Sequence, residues 1–362
     1  MALTTVSSER LSTNVKVSNL DSELSKKVGQ SKNLIINGAM QIAQRGTSST
    51  SSGMQTVDRF ASFHNGTDEA STQAQVDVAS GTTPYTSGFR KALKITNGNQ
   101  TSGAGATDYI WIQYKLEAQD VANSGWNYTS TSSFVTLSFW VKSSVAQDFK
   151  GYLRSRDGTS QMYPFATGSL SADTWTKITK TIPGNSNLQF DNDVNNGLEI
   201  NIAPFFGTDL TNNATTEDAW AAYVAANRTK DNTSTWYTTN DATFEITGVQ
   251  LETGSVATDF EFKTVGQDLE LCKRYFFKWN RSPTNRYTYS GGYAAHATSA
   301  FYEFNFSPEM RATPTAGSFS DANVTNAAWT HLSSDCAQYI ATATSSSSAG
   351  RIASAVDFSA EI

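Results

Sequence analysis

The stretch FVTLSFWVK (134–142) sets Val135, Leu137, Phe139 and Val141 on one side of an extended chain, and Thr136, Ser138, Trp140 and Lys142 on the other. Successive side chains of a strand point to opposite sides, so this alternation predicts a strand with one buried face. YIWIQYKL (109–116) repeats the pattern. Ile110, Ile112, Tyr114 and Leu116 share one face, and Tyr109, Trp111, Gln113 and Lys115 share the other. Outward in both directions, strand-like stretches recur in LIIN (34–37), AMQIAQR (39–45), VDRFASF (57–63), AQVDV (74–78), FRKALKI (89–95), FKGYLRS (149–155), WTKITKTI (175–182), LEINIAPFF (198–206) and TFEITGVQL (243–251). Connectors rich in Gly, Ser and Asn separate them, as in GTSSTSSG (46–53) and NGNQTSGAGAT (97–107). Regular strands with turn signals between them predict an all-β chain, with an antiparallel jelly-roll sandwich over 33–264.

Composition agrees. Ser and Thr together number 90 of 362 residues, and aromatics make up 12%, so turn formers and strand formers both abound. The length suits two or three domains. Net charge is −6 and the 27 Lys and Arg form no run, which argues against nucleic acid and anionic membranes as partners. No run of 18 apolar residues is present, so no membrane-inserted helix is expected. Two cysteines, Cys272 and Cys336, make no disulfide framework, and His64, His296 and His331 are too scattered for a metal motif. MALTTVSSER lacks the regions of a signal peptide, so synthesis without export is expected, and Asn-Thr sequons such as that at Asn127 read as products of composition.

Three regions depart from the strand rhythm. In 1–32, Ser18 to Asp21 resembles a capping box, and Val17, Leu20, Leu24 and Val28 recur at helical spacing before Gly29. A helix of about ten residues is too short to stand alone, so this segment is expected either to anchor or oligomerise the chain or to lie on its own domain. In 208–241, Trp220, Tyr223 and Val224 in EDAWAAYVAAN predict a short helix on an edge of the sandwich. After Thr264–Gly266, stretches such as DLELCKRYFFKW, SAFYEFNFS and RIASAVDFS predict a smaller C-terminal β-sandwich domain over 265–362.

Three segments carry a family resemblance. NLIINGAMQIAQRGTSS…VDRF (33–60), ATFEITGVQLETGSVATDFEFKTVGQDLELCKRYFFK (242–278) and FSPEMRATPT (306–315) resemble phage and prophage tail-fibre or receptor-binding proteins. FVTLSFWVKSS and ADTWTKITKTIPG look like the middle strands of family 4/9-type carbohydrate-binding jelly rolls of the galactose-binding-like kind. The resemblance implies a virion structural protein made in the host cytoplasm and carried in the tail. It further implies a homotrimer that attaches to other virion proteins by its N-terminal segment and presents β domains to host-surface glycans. Asp259 stands where the family pattern has Pro, which puts the interdomain turn in question, and Arg311 resembles a structural position. A head fibre, capsid decoration or tail adaptor is the alternative; a polysaccharide depolymerase is a third.

Catalysis has little support in the residues. Asp191 and Asp193 in FDNDVNNG read as turn residues, and Glu217-Asp218 as a helix start. No GxSxG elbow or phosphate loop is present, Cys272 reads as core strand or strand entry, and no cofactor is called for. FDNDVNNG is oxygen-rich enough for a structural calcium but lacks the full loop pattern.

The aromatic residues on polar strand faces are the candidate site. Tyr109 and Trp111, Trp140, and Tyr152 with Arg154 and Arg156 all alternate away from the expected core. Trp126 and Tyr128, in the loop NSGWNYTST, form a second exposed candidate, whereas Trp175 is assigned to packing. Flat rings beside Arg, Lys and Gln suit a sugar ring and its hydroxyls. A subunit interface, or packing against the 208–241 insertion, would use the same residues.

Overall fold

Alternating strands bury their apolar faces by pairing two sheets. The computed structural model describes residues 32–279, 292–296, 299–317, 321–322, 324–343, 351–352 and 356–362. The helical stripe of Val17, Leu20, Leu24 and Val28 lies outside them. The sandwich strands are β1 (Ser48–Ser49), β2 (Phe60–Asn65), β3 (Thr72–Asp77), β4 (Lys91–Thr96), β5 (Tyr109–Glu117), β6 (Phe134–Ser143), β7 (Asp148–Ser155), β8 (Gln161–Ser169), β9 (Thr176–Pro183), β10 (Asn196–Phe206), β11 (Ala221–Ala222) and β12 (Thr243–Thr253). Among the described residues they form two six-stranded sheets, ordered β1-β3-β4-β12-β6-β9 and β11-β8-β7-β10-β5-β2. Neighbouring strands pair antiparallel. The chain is nearly all β, as alternation predicts.

The core lies where the period places it. Ile110, Ile112, Tyr114 and Leu116 of β5 face Val135, Leu137, Phe139 and Val141 of β6, all in one buried cluster with Ile200, Ile202, Phe244 and Leu251. Each fully buried side chain of this size contributes roughly 1.5–3 kcal/mol.

Three local expectations need correction. LIIN and AMQIAQR are not strands. Asn37 and Met40 both take φ of 59°, which breaks an extended run. The Asn37 amide donates to the Ile42 and Asp58 carbonyls and accepts from the Ile42 N–H, fixing a turn in its place. EDAWAAYVAAN is not a helix. It contributes β11, which extends the second sheet by pairing Ala221 and Ala222 with Met162 and Gln161. A spacing of three marks one face of a helix but opposite faces of a strand. Accordingly Trp220 packs on Tyr163 on the core side, while Tyr223 packs near Tyr152 on the outer side. DLELCK is helix rather than strand: Val265–Lys273 is helical, opened by a capping box between Thr264 and Gln267, and Cys272 is buried on it. β8 is a further strand, one that is not among the period-two stretches named above.

The C-terminal region continues with β13 (Phe276–Trp279), β14 (Gly292–His296), β15 (Ser299–Asn305), β16 (Thr315–Ala316), β17 (Asp321–Ala322), β18 (Val324–Leu332), β19 (Cys336–Ala343), β20 (Arg351–Ile352) and β21 (Val356–Ser359). These strands make sheets of order β13-β21-β16, β14-β15-β19-β18 and β17-β20. Phe304, Phe306, Met310, Tyr339 and Phe358 form a second, smaller core.

Candidate functional site

The outer face of the second sheet carries most of the candidate residues. Register puts Trp111 beside Phe63, Gln113 between Ala61 and Asn201, and Glu199 between Lys115 and Arg154. Asn201 in turn neighbours Tyr152. Tyr109 stacks on Trp111 with ring centroids 4.6 Å apart and planes at 27°. Phe63 lies 5.8 Å and Phe206 5.3 Å from the same indole. Tyr109, Trp111 and Phe63 are half-buried, leaving part of each ring to solvent.

Part of this face is covered by the chain itself. Tyr223, just after β11, lies 6.4 Å from Tyr152, and the Arg154 guanidinium sits 3.6 Å from the Tyr223 ring centroid. Arg228 donates through Nε to the Tyr223 hydroxyl at 3.2 Å and lies 5.1 Å from the Trp111 ring. Tyr152 is consequently 2% exposed, and its burial pushes the phenol pKa up. Of the readings open for Tyr152 and Arg154, packing against the insertion is the one found: Tyr152 is buried beneath it rather than open to a sugar, with Arg154 packed on the same residues.

Beyond Trp111 the face opens into a cleft of about 310 Å³ between the sheet and the C-terminal region. Phe63, Ala61, Gln113 and Lys115 line the sheet side; Glu361 and Ile362 line the other, and Arg45 is also part of the lining. The cleft pairs apolar surface with donors and acceptors. Gln113 donates to Asn201 Oδ1 at 3.0 Å, and Lys115 Nζ donates to the Ile362 carbonyl at 2.8 Å. Burial lowers the Lys115 pKa, against the pull of Glu199. Arg45 pairs with Glu361 at 3.1 Å.

The remaining candidates lie elsewhere. Trp140 is on the outer face of the first sheet, in an apolar cluster with Phe89, Tyr85, Trp175 and Phe260. It is thus across the sandwich from Trp111. Trp175, expected to pack as a core tryptophan, lies instead half-buried in this outer cluster, with Lys142 Nζ 5.2 Å from its ring. Trp126 is not exposed. It is 3% accessible, packs 6.1 Å from Phe190, and donates its indole N–H to the Ser133 carbonyl at 3.3 Å. Tyr128 packs edge-on against Phe190 at 4.9 Å. The loop that holds both residues folds over an open end of the core, which a local pattern does not register.

FDNDVNNG forms a turn. Asp193 accepts the Asn195 N–H at 3.0 Å, and the Asp191 N–H donates to Asp157. Among the described residues no group of three or more His, Cys, Asp and Glu is placed to hold a metal.

The segments that carry the family resemblance converge on the domain junction. Arg59 of VDRF is 1% exposed, pairs with Glu361, and lies 3.4 Å from the Tyr275 ring. Gln44 donates to the Phe276 carbonyl at 2.8 Å. Arg311 donates to the Val194 and Ala360 carbonyls at 2.9 and 2.7 Å, which fits a structural position. Phe63 and the cleft walls Arg45 and Glu361 are site residues the sequence reading misses. Phe63 was legible, because it alternates with Ala61 in VDRFASF; Glu361 is brought in by tertiary docking alone.

Among solved structures the chain is similar to the enzymatically active domain of tailspike protein 4 from bacteriophage CBA120, at 8% identity and a TM-score of 0.33, covering 61% of this chain and 21% of that one. It is similar to the N-terminal cellulose-binding domain of Cellulomonas fimi β-1,4-glucanase C, at 11% identity and a TM-score of 0.28, covering 60% and 99%. It is also similar to the family 11 carbohydrate-binding module of Clostridium thermocellum in complex with a mixed-linked tetrasaccharide, at 13% identity and a TM-score of 0.26, covering 59% and 98%. Likeness at this level carries nothing about ligand or chemistry to this chain. No family model matches the chain, and no curated protein matches it.

Proposed function

We propose that the chain is a glycan-recognising component of a phage tail fibre, and that it binds without catalysis. The observation that supports this reading most is the half-exposed Tyr109–Trp111 stack flanked by Phe63 and running into the polar cleft at Gln113 and Lys115. Flat rings cover the apolar face of a sugar, while the amide and ammonium groups serve its hydroxyls. The virion setting is supported by the tail-fibre resemblance, whose segments build the junction that forms one wall of the cleft. In a homotrimer on a particle, weak single sites gain avidity through effective concentration.

The test is capture of host cells and of isolated surface polysaccharide by purified protein, comparing wild type with Trp111→Ala. Loss of capture with the melting transition retained supports the reading. Unchanged capture, or release of reducing sugar from the polysaccharide, overturns it.

The first sheet's outer face favours a second reading, contact with neighbouring virion subunits. Trp140 and Trp175 there adjoin a linker that exposes Val256 at 69% and Phe262 at 50%, and the helix after it opens on Val265, 59% exposed. Apolar side chains held in solvent in one region suit an interface. Sedimentation of wild type against Phe262→Ser tests it: an unchanged mass, or a wild-type monomer, removes this second reading.

A further inference from the structure

Val256, Phe262 and Val265 are the three most exposed large apolar side chains among the described residues, and all fall in one short stretch after β12. Phe262 is fixed in place. Its ring lies 4.8 Å from that of Phe260 and 5.0 Å from that of Phe89, and a Cβ on Gly88 would come within 2.8 Å of it. Apolar surface gathered in one region and held in solvent marks a contact site.

The first described residues are pinned to the same stretch. Lys32 Nζ donates to Thr258 Oγ1 at 2.8 Å and to the Asp259 carbonyl. The Asn33 N–H donates to Glu261 Oε2 at 2.8 Å, and the Leu34 N–H donates to the Leu251 carbonyl at 2.9 Å. Thr258 and Asp259 stand between Val256 and Phe262 in the chain, so the residues before Lys32 leave the sandwich beside this apolar stretch. What comes before is the stripe Val17, Leu20, Leu24 and Val28, spaced for one face of a helix too short to stand alone. From Lys32, an extended connection back to Val28 reaches at most about 14 Å.

We propose that residues 17–28 seat this stripe on the surface formed by Val256, Phe262 and Val265 of their own chain. The tether decides the occupant. A segment joined so close by meets the surface at an effective concentration on the order of millimolar. The same segment from a second copy would first have to bypass the surface it is tied to. The stripe and the surface each lack what the other offers, an apolar partner. This gives the surface to the chain itself in place of a neighbouring subunit. It does not rest on glycan binding, because Phe89 and Phe260 lie in the cluster across the sandwich from Trp111.

The experiment is photo-cross-linking of the full chain with p-benzoylphenylalanine in place of Phe262, read by mass on a denaturing gel and by peptide mass spectrometry. The same probe in place of Val256 serves if the first variant fails to fold. The expected result is a link from the probe to a peptide within 17–28, in the band of single-chain mass. Leu20→Asp combined with Leu24→Asp should lower its yield about tenfold, since a charge on the stripe cannot be buried against apolar surface without cost. Ser22→Asp, on the opposite side of the expected helix, should leave the yield unchanged. A link to 17–28 found only at multiples of the chain mass places a copy's segment on the surface and overturns the proposal. Links only to other peptides of a second copy overturn it in favour of a subunit contact. A yield indifferent to the Leu20 and Leu24 changes, an equal loss in Ser22→Asp, or no link to 17–28 at any mass also overturns it. Neither probe position involves Trp111, so glycan capture and this contact can fail separately.

Discussion

Arg274 holds Glu117 by two bonds of 2.9 Å, from Nε to one carboxylate oxygen and from Nη2 to the other. Glu117 ends β5 and Arg274 follows the first helix of the C-terminal region, so the pair fixes one domain on the other. Tyr275 adds its hydroxyl to the same carboxylate at 2.6 Å. The Glu117 side chain is fully buried and that of Arg274 is 30% exposed. A two-bonded guanidinium–carboxylate pair has a set geometry as well as a charge. Glu117→Ala is expected to cost about 3 kcal/mol, because it leaves Arg274 and the Tyr275 hydroxyl unmatched at a buried junction. Denaturant melts check this, and a loss under 1 kcal/mol would show that the domains dock by other means.

The same carboxylate sets a pH dependence. Burial pushes the Glu117 pKa up, but the bonds from Arg274 and Tyr275 outweigh it and hold the group below its ordinary value of 4.5. A carboxylate with a depressed folded pKa contributes stability above its unfolded pKa and loses it as pH falls through the folded one. The Glu117 contribution to stability is therefore expected to be lost between about pH 5 and pH 3. Asp58, Asp120, Asp157 and Asp268, raised mainly by burial, bias stability in the opposite direction as pH falls. The difference between wild type and Glu117→Gln isolates the Glu117 contribution. The two melting-temperature profiles should converge at the acid end; parallel profiles would refute the assignment.

The sandwich was legible because strands with one buried face write their geometry into the sequence at period two. Ile112 and Phe139 are core for the reason Trp111 and Trp140 are not. What alternation does not say is which of two sheets a strand joins, so Trp111 and Trp140 look alike in sequence and lie on opposite outer faces. The 217–227 stretch misleads for a related reason, since a spacing of three fits a helix face and also the two sides of a strand. The capping box at Thr264 and Gln267 stands in the sequence, but the alternation of Asp268, Leu269, Glu270 and Leu271 behind it also fits a strand. The cleft was not legible at all. Arg45, Lys115 and Glu361 come together through docking of segments 70 to more than 200 residues apart, as their numbering shows.

Gly38 gives a sharp test of the segment at 33–42. A Cβ on this residue would lie 2.1 Å from the Val249 carbonyl oxygen, and that oxygen belongs to backbone that cannot rotate away. The contact exists because the segment runs against β12: the Leu34 N–H donates to Leu251, the Val249 N–H donates to the Gly38 carbonyl, and Asn33 bonds both Leu251 and Val249. Gly38→Ala is expected to cost at least the 1–3 kcal/mol of overpacking, although most Gly to Ala changes at ordinary φ are harmless. A melting temperature within a degree of wild type would mean the segment is not seated on β12.

Tyr152 and Trp111 are neighbours on one sheet face with different expected fates. Tyr152 lies beneath Tyr223, 2% exposed, with Phe206 6.2 Å away, so its ring is part of the packing that seats the insertion. Tyr152→Ala should cost about 3–5 kcal/mol, in line with removal of a buried aromatic. It should also make 207–234 more open to proteolysis, because the ring that Tyr223 rests on is gone. Trp111 keeps part of its ring in solvent and its truncation leaves the Tyr223 contact in place, so Trp111→Ala should cost about 1–2 kcal/mol. Its larger effect should be on glycan capture. Urea melts and limited proteolysis on the two variants separate these roles. If Trp111→Ala destabilises as much as Tyr152→Ala, the indole is a packing residue rather than an aromatic platform beside the cleft.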